Sequence, residues 1–459
     1  MVEVGEKAPG KATLGELLRL SAPVLLATFS QTLMIVVDTY FAGYIGEEAQ
    51  AALAFVGPVI WSIPTLFNGI IAAINTFVAQ AWGAKKIRDI GLYLSQAVGI
   101  ALLASVPTAL LALVLPGVFT KFISDVEVRT GAIRYGVIRL LFFIFPYFNV
   151  AAAGLFEGLG RMVVPMAVAI SAHVVNAFLD WVLVTGAFGL PRCGVEGLAW
   201  ASVAGSILGT VVYVFLLGRR SFFRSFLAPG LAFPGGQPMK DFLRIGIPQG
   251  FGWFMEAASW SLFLLLVATL GREVAASQQI AVSILHFAFM PGIAAGTATT
   301  TLVGQYIGAG RSDLARKTFR NALGLIVSYM GAVGIIFITC RHPIMRVFSN
   351  NSEVIRIGAI VLIYAGIWQV FDGTYIACAC ALRGAGDTFF TMCVYVGLSW
   401  FFFLPLAYVL GFAFRLGVHG AWAAATSYIA LAGLIVLWRW QSGAWEKLKV
   451  VSRDEACSP

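Results

Sequence analysis

The sequence predicts an all-α membrane protein whose twelve transmembrane helices form two parallel repeats of six. Three features predict this fold: 59% of the 459 residues are hydrophobic and only 12% are charged, long stretches carry no charge, and the two halves of the chain repeat one another. A soluble domain carries about twice that share of charged residues. A chain of this composition cannot cover itself with polar groups in water, so lipid must be its main solvent.

Charge-free stretches of the chain locate the predicted spans. Residues 49–84, 90–120, 274–310 and 388–414 contain no Asp, Glu, Lys or Arg. A helix needs about 20 residues to cross a bilayer, and lipid leaves helices as the default because each segment must satisfy its own backbone. The predicted spans are 20–44, 51–80, 91–117, 133–155, 163–188, 194–217, 245–270, 275–305, 319–340, 357–381, 388–411 and 417–438.

The distribution of basic residues orients these spans. With the N-terminus placed inside, 21 of the 31 Lys and Arg residues fall on the cytoplasmic side. This bias follows the positive-inside rule and predicts a multi-pass protein of the cell (inner or plasma) membrane with both termini in the cytoplasm. Anionic lipid headgroups account for the net charge of +9, so no nucleic-acid partner is expected. The apolar run from Leu20 is too long for a cleaved signal peptide.

An internal duplication divides the chain. Thr76–Ala84 (TFVAQAWGA) and Thr301–Ala309 (TLVGQYIGA) share five of nine residues at an offset of 225, and Pro23 meets Pro248 at the same offset. Because each half has six spans, both repeats enter the membrane from the same side, which indicates two parallel helix bundles. Transporters with such bundles achieve alternating access by rocking one bundle against the other. A duplicated static scaffold is the alternative. The predicted division is an N-lobe at 1–218, a cytoplasmic linker at 219–244, a C-lobe at 245–438 and a cytoplasmic tail at 439–459.

Four acidic residues lie inside predicted spans: Asp38, Asp180, Glu256 and Asp372. A carboxylate in hydrocarbon costs about 2.5–3.5 kcal/mol even on the lenient insertion scale, so each must face water, find a partner or hold a proton. Burial favours the protonated form, and such an acid can exchange its proton for Na⁺ or for a cationic solute. A position near the headgroups is the alternative for Asp38 and Asp180.

The spacing around Asp180 predicts an oxygen-rich site. Asn176 lies one turn before Asp180, so both side chains share a helix face. Together with Asp38 and Ser202 they would give the hard oxygen ligands that small cations prefer. The acids do not follow the repeat, since the position 225 after Asp38 is Phe263. This predicts two different sites, one in each half.

Other polar residues inside spans have simpler interpretations. His173 and His286 fit packing or cavity-lining roles better than proton transfer. The six scattered cysteines fit small apolar fillers. Pro23 removes a helical hydrogen bond fifteen residues before Asp38, which predicts a hinge in the first span.

Several short motifs give the sequence its resemblance to a known family. They are Pro23 with Val37–Thr39, Val78–Ala84, Glu157–Arg161, Asn176–Asp180, Met255–Ala257, Val303–Ala309, Asp372, and Leu382–Asp387. In this order and spacing they make the chain, over about residues 15–440, resemble a multidrug and toxic compound extrusion (MATE) transporter of the NorM-type branch.

The resemblance implies V-shaped lobes and export of organic cations driven by inward Na⁺ or H⁺. It implies one cation or Na⁺ site at Asp38, Asn176, Asp180 and Ser202, and a second at Glu256 and Asp372. Trp368 stands where related proteins can place Tyr, which puts Na⁺ ligation at the second site in question. Trp368 and Gln279 are the candidates for substrate contact, with helix packing the alternative for Gln279.

The expected protein is therefore a monomeric secondary antiporter that acts on small organic cations in a lipid bilayer and carries no cofactor. The alternative within the same broad superfamily is a flippase of a lipid-linked substrate, which would require basic rather than acidic residues in its cleft. A membrane enzyme would need clustered catalytic groups, and the sequence shows no HExxH motif or Ser/His/Asp set. A channel would conduct without a counter-gradient.

Overall fold

The computed structural model describes residues 10–448 and residue 450, and in this part of the chain every regular element is a helix. The first half contains α1 (Leu14–Ile45), α2 (Glu47–Ala72), α3 (Ile74–Gly83), α4 (Ile87–Phe122), α5 (Val126–Leu141), α6 (Ile144–Gly158), α7 (Val163–Thr185) and α8 (Gly194–Gly218). The second half contains α9 (Arg220–Phe222), α10 (Gly236–Ala268), α11 (Arg272–Gly308), α12 (Ser312–Thr339), α13 (Arg341–Phe348), α14 (Ser352–Ala385), α15 (Thr388–Leu398), α16 (Leu404–Tyr408) and α17 (Gly417–Gln441). Shorter helical turns lie at Ala187–Gly189, Phe223–Leu227, Ser399–Phe403, Val409–Ala413 and Ala444–Lys447.

Eleven stretches of helix in the described residues are long and apolar enough to cross a membrane, and a bent pair makes a twelfth. The bent pair is α5 with α6, whose axes meet at 48°. Pro146 explains the break, because a proline has no N–H to donate to the carbonyl of Phe142. The predicted all-α transmembrane fold is confirmed, and the predicted span at 133–155 proves to be two helices.

Packing divides the described residues into two compact units. Unit 1 contains residues 26–250, and unit 2 contains residues 10–25 together with residues 251–448. The helices α1 and α10 therefore begin in one unit and end in the other. The sequence-based division at 219–244 was drawn from charge and remains a prediction about the repeats. Part of that stretch, residues 236–244, is the start of α10. Residues 1–9, 449 and 451–459, with the end of the predicted tail and Cys457, lie outside the described residues.

Unit 2 packs around the long helix α14. Buried aromatic rings from Phe263, Phe403, Trp422 and Tyr428 fill one part of its core. A second apolar cluster joins α11, α12 and α17 and includes Leu17 from the start of α1, which is 1% exposed. Burying a leucine side chain contributes about 1.5–3 kcal/mol, so this contact helps to hold the start of α1 on unit 2.

Close backbone packing at equivalent glycines shows the duplication in three dimensions. In unit 1, a Cβ on Gly158 would lie 2.9 Å from the carbonyl oxygen of Asn75. In unit 2, a Cβ on Gly384 would meet the carbonyl oxygen of Thr300. Asn75 and Thr300 are separated by the same offset as the two copies of the sequence repeat. The repeated glycines therefore allow the same close helix contact in both halves.

Replacing Gly158 with valine is expected to destabilise unit 1. The new Cβ would also lie 2.7 Å from the Cβ of Val78, and overpacking of this kind costs about 1–3 kcal/mol. The measurement is the midpoint of thermal unfolding of the purified protein in detergent. Gly117→Val is the matched control, because no atom lies within 4 Å of a Cβ at Gly117. Equal midpoints for the two variants would contradict the packing argument.

Candidate cation-binding sites

The first candidate site lies in unit 1, where α1, α7 and α8 bring the four predicted residues together. Asp38 on α1 lies close enough to Asp180 on α7 for the two carboxyls to act on one another electrostatically. Asn176, one turn before Asp180, donates from Nδ2 to the Ser202 hydroxyl over 3.4 Å. Asp180 is fully buried and Asn176 is 1% exposed. The i, i+4 spacing seen in the sequence does place these two side chains on one buried helix face.

Four oxygen atoms of this site have no hydrogen-bond partner. Both carboxyl oxygens of Asp180, Oδ1 of Asp38 and Oδ1 of Asn176 are buried and accept no hydrogen bond. A buried acceptor without a donor costs about 1–3 kcal/mol, and more for a charged group. A small cation or a proton placed among these oxygens would remove that cost. The chemistry of the donor set therefore fits H⁺ or Na⁺.

Two residues of α5 join the site, and the sequence analysis missed both. The Tyr135 hydroxyl lies within hydrogen-bonding reach of the Ser202 hydroxyl, and Tyr135 is 8% exposed. Arg139, one turn further along α5, acts electrostatically on both Asp38 and Asp180. The signal was available, because Arg139 is a charged residue inside the predicted span at 133–155. Intramembrane arginines mark functional sites as acids do, whereas the sequence-based prediction considered only the acids and histidines inside spans.

Arg139 does not lock the two carboxyls into a permanent ion pair. Within the described part of the chain, no Lys or Arg nitrogen lies within 4.0 Å of Asp38 or Asp180, and the Nε atom of Arg139 is itself buried without a partner. The guanidinium cannot lose its proton in a protein, so the site holds one fixed positive charge beside two acids. With both acids ionised, a single monovalent cation would bring the cluster to neutrality.

The second candidate site lies in unit 2 between α10, α14 and α15. Glu256 on α10 is within hydrogen-bonding reach of Tyr395 on α15. Asp372 on α14 is within reach of the indole N–H of Trp368 and close enough to Glu256 for their charges to repel. Arg383, near the end of α14, acts electrostatically on Glu256. The structure thus brings the two predicted acids into one cluster and adds Tyr395 and Arg383 to it.

Aromatic rings surround this second cluster. Trp368 is 7% exposed and contacts Trp260 edge to face at 5.3 Å between ring centroids. Tyr395 lies 5.5 Å from Tyr375 and 5.6 Å from Tyr428. An indole nitrogen donates only, so Trp368 can hold the Asp372 carboxyl in place but cannot act as an oxygen ligand for a metal ion.

A π-helical turn at Ser399–Phe403 helps to position Glu256. The indole Nε1 of Trp400 in this turn donates to the carbonyl oxygen of Met255 over 3.4 Å. Phe403 from the same turn stacks on Tyr428 at 5.0 Å. Single π turns inside α-helices occur frequently at functional sites, because the extra residue re-aims the side chains around it.

The two sites are not copies of one another. The position equivalent to Asp38 is Phe263, which is fully buried and packs 4.9 Å from Phe403 and 5.7 Å from Trp422. The position equivalent to Glu256 is Gln31, which is exposed. The duplication therefore preserves the scaffold, whereas each unit has its own acidic cluster on a different set of helices.

The remaining predicted residues lie outside both clusters. Gln279 is exposed on α11, while its neighbour Gln278 is 4% exposed and donates to the carbonyl of Leu264 over 3.2 Å. Pro23 lies inside the continuous helix α1, just before that helix passes from unit 2 to unit 1. The contacts of Gln279 and the bending of α1 remain predictions.

Both histidines inside spans have local partners. The Nδ1 atom of His173 lies 2.9 Å from the Ser30 hydroxyl, which joins α7 to α1 two turns before the acidic pair. The ring of His286 contacts the ring of Phe289 edge to face at 5.2 Å. These contacts fit the packing or cavity-lining roles expected from the sequence, and those roles remain predictions.

Comparison with known proteins gives the family. The sequence model of the MatE family matches residues 23–182 and again residues 248–409, together more than half of the chain, and the two matches begin at Pro23 and Pro248. The protein belongs to the MATE family. The predicted NorM-type resemblance is confirmed by relatives that are aligned along most of their length.

Two curated relatives and one solved structure illustrate this. A probable multidrug resistance protein NorM of Neisseria meningitidis serogroup B is 29% identical over 91% of this chain and 92% of the relative. One from Burkholderia mallei is 30% identical over 92% and 91%. A structure of a MOP superfamily transporter from Pyrococcus furiosus superposes with a TM-score of 0.85 at 19% identity, covering 96% of this chain and 98% of that one. That structure is described as having a binding pocket of reverse polarity that suggests a different function, and at this identity it shows the fold alone.

Proposed function

We propose that this MATE family membrane protein is a secondary antiporter that exports organic cations in exchange for Na⁺ or H⁺ moving inward, by alternating access between its two repeats. The observation that carries the proposal is the pair of acidic clusters inside apolar spans, one in each unit, in which Asp180 is fully buried and the other three acids are half-buried. A buried acid without a partner is costly, so the chain gains stability when a cation arrives there. A cation that binds one conformation better than the other shifts the equilibrium between them by its difference in affinity.

The two clusters differ in the ligands that they offer to Na⁺ and H⁺. The first cluster offers carboxyl, amide and hydroxyl oxygens, a set that accommodates Na⁺ or H⁺. The second cluster offers two carboxyls surrounded by donors, namely the Trp368 indole N–H and the Tyr395 hydroxyl. The Trp368 nitrogen donates only and cannot ligate a metal ion, so the second cluster, with two carboxyls and one hydroxyl, offers fewer oxygen ligands for Na⁺ than the first.

The alternative is a flippase of a lipid-linked substrate. Such a protein would present an excess of positive charge to an anionic headgroup. Each cluster contains two acids and is influenced by one arginine, Arg139 or Arg383, so acids outnumber bases in both. This excess favours cationic substrates. We also propose, from the distribution of Lys and Arg, that both termini lie in the cytoplasm.

Transport by the purified protein in liposomes tests the proposal. The measurement is export of a fluorescent organic cation under an imposed Na⁺ gradient and, separately, under an imposed pH gradient. We expect export to accelerate under at least one gradient when that ion moves opposite to the dye. Export that is indifferent to both gradients would contradict antiport, and selective movement of a fluorescent phospholipid would favour the flippase.

Replacing Arg139 with glutamine is expected to strengthen cation binding at the first cluster by about 10–100-fold. Two unit charges about 6–12 Å apart interact by about 1–3 kcal/mol at an effective dielectric of about 20. Removing the Arg139 charge would end its repulsion of an incoming cation. The measurement is the Na⁺ concentration, at a fixed alkaline pH, that gives half-maximal thermal stabilisation. Arg134→Gln is the control, because Arg134 lies on the same helix in an exposed ion pair with Glu196. Weaker binding in Arg139→Gln would mean that Arg139 organises the site.

A further inference from the structure

The start of α1 is attached to unit 2 by a set of side chains that the acidic clusters do not use. The backbone N–H of Ala12 donates to the Tyr306 hydroxyl over 2.9 Å, and that hydroxyl donates to Oε2 of Glu16 over 3.1 Å. Nδ2 of Asn321 donates to the Ala12 carbonyl over 2.9 Å. Both backbone groups of one residue are thus held by side chains of α11 and α12. We call residues 10–17 the α1 anchor segment.

The conformation of Ala12 shows that this attachment is specific. Ala12 is 2% exposed and has a φ of 47°, in the left-handed region that costs a non-glycine residue about 1–2 kcal/mol. Such strain persists only where the surroundings determine it. The bonds from Tyr306 and Asn321 and the buried Leu17 side chain provide those surroundings.

The start of α10 is attached to unit 1 in a corresponding way. The backbone N–H of Gly235 donates to Oε1 of Gln96 on α4 over 2.8 Å, and Gln96 is fully buried. Phe242 in the first turns of α10 is fully buried and stacks on Phe77 of α3 at 5.1 Å. We call residues 228–242 the α10 anchor segment.

The two attachments use equivalent positions of the repeat. Gln96 and Asn321 are separated by the repeat offset, and each supplies the amide that holds the chain just before a helix. The unit boundaries, after Leu25 and after Gly250, are separated by the same offset. Each repeat therefore holds the leading end of the first helix of the other repeat. The two helices held in this way, α1 and α10, carry Asp38 and Glu256.

We propose that Tyr306, Asn321 and Gln96 are positioning residues for coupled transport, which rests on the antiport function proposed above. Because α1 and α10 each have their two ends in different units, a displacement of one unit against the other must be absorbed within these helices as long as their starts stay attached. The attachment therefore transmits the displacement to Asp38 and Glu256. If the first residues of α1 or α10 detach, the units can move without displacing Asp38 or Glu256. Cation movement is then no longer coupled to substrate export.

The test uses Tyr306→Phe, which removes one hydroxyl, and Gln96→Met, which removes the amide at similar length. A hydrogen bond contributes about 0.5–1.5 kcal/mol net, so the detached population should rise about two- to tenfold. Hydrogen exchange measured by mass spectrometry on peptides covering residues 10–17 and 228–242 should accelerate by that factor. In liposomes, the amount of dye exported per cation admitted should fall, while dye affinity in detergent should not change. Tyr329→Phe, on α12 of the same unit, is the control.

The outcomes separate the two proposals. Faster exchange with a lower export-to-cation ratio in both variants supports the positioning role. If hydrogen exchange accelerates but the amount of dye exported per cation stays at the value of the unmodified protein, the anchor segments serve folding alone. That result would overturn the positioning role. An Asn321→Gln variant that keeps the amide should retain more of the ratio than Asn321→Leu. If the unmodified protein exports dye without regard to either gradient, the antiport function itself fails, and the positioning role fails with it.

Discussion

Replacing Asp180 with asparagine is expected to reduce gradient-driven export to the level of protein-free liposomes, a loss of more than about tenfold. Asp180 is fully buried, and neither of its carboxyl oxygens has a partner in the structure. Asparagine has the same shape but cannot neutralise a cation. Losing one member of a buried charge pair costs about 2–5 kcal/mol, which corresponds to cation binding that is about 30-fold weaker or more.

The stability of the Asp180→Asn variant distinguishes loss of coupling from misfolding. Removing a carboxyl that is costly to bury should leave the unfolding midpoint unchanged or raise it. Asp313→Asn is the matched control, because Asp313 is exposed in an ion pair with Arg311 and should leave export intact. Full coupled export by Asp180→Asn would remove the first cluster from the mechanism.

Replacing Glu256 with glutamine is expected to have the second large effect, with export again at least about tenfold lower. Glu256 shares its cluster with Asp372, so the variant leaves a single carboxyl among the aromatic rings of unit 2. The first cluster is built from other helices in unit 1 and should still bind a cation. Cation-dependent thermal stabilisation should therefore persist in Glu256→Gln although export fails, and it should disappear only when Asp180→Asn is added.

Glu273→Gln provides the control for this second substitution, since Glu273 is exposed in the first turn of α11. It should export at the rate of the unmodified protein. If Glu256→Gln exports at that rate too, the acid of unit 2 has no part in coupling, and one cluster is sufficient. If export fails together with the stabilisation by cations, the two clusters are not independent.

The spans and the repeat were predictable from the sequence because their signals are local or regular. Long runs without charged residues indicate membrane spans directly, because charged side chains are costly in lipid. The constant offset between similar segments shows the duplication in the sequence. The structure shows it too, because Gly158 packs against Asn75 in unit 1 as Gly384 packs against Thr300 in unit 2. The grouping of Asn176 with Asp180 was also predictable, because helical periodicity determines which residues share a face.

The composition of the sites was harder to predict because it depends on contacts between distant helices. No spacing in the sequence places Tyr395 near Glu256. Trp368 and Asp372 lie one helical turn apart and share a face, but this spacing does not show whether that face points toward Glu256 or toward lipid. Arg139 carried a local signal, a basic residue inside a predicted span, which a prediction based on acids and histidines did not use. The passage of α1 and α10 between units has no sequence signal of its own, since a helix that crosses from one bundle to another has the same apolar pattern as one that does not.

The attachment of Ala12 to Tyr306 has a consequence for how the chain is made. The two residues are 294 positions apart, so the ribosome has added more than half of the protein before the binding partner of the first helix exists. Until then the leading end of that helix has no folded surface to bind, whereas Leu26–Gly250 has all its internal contacts available. Unit 1 can therefore complete its packing during synthesis, and unit 2 can do so only by recapturing a segment that was synthesised near the beginning.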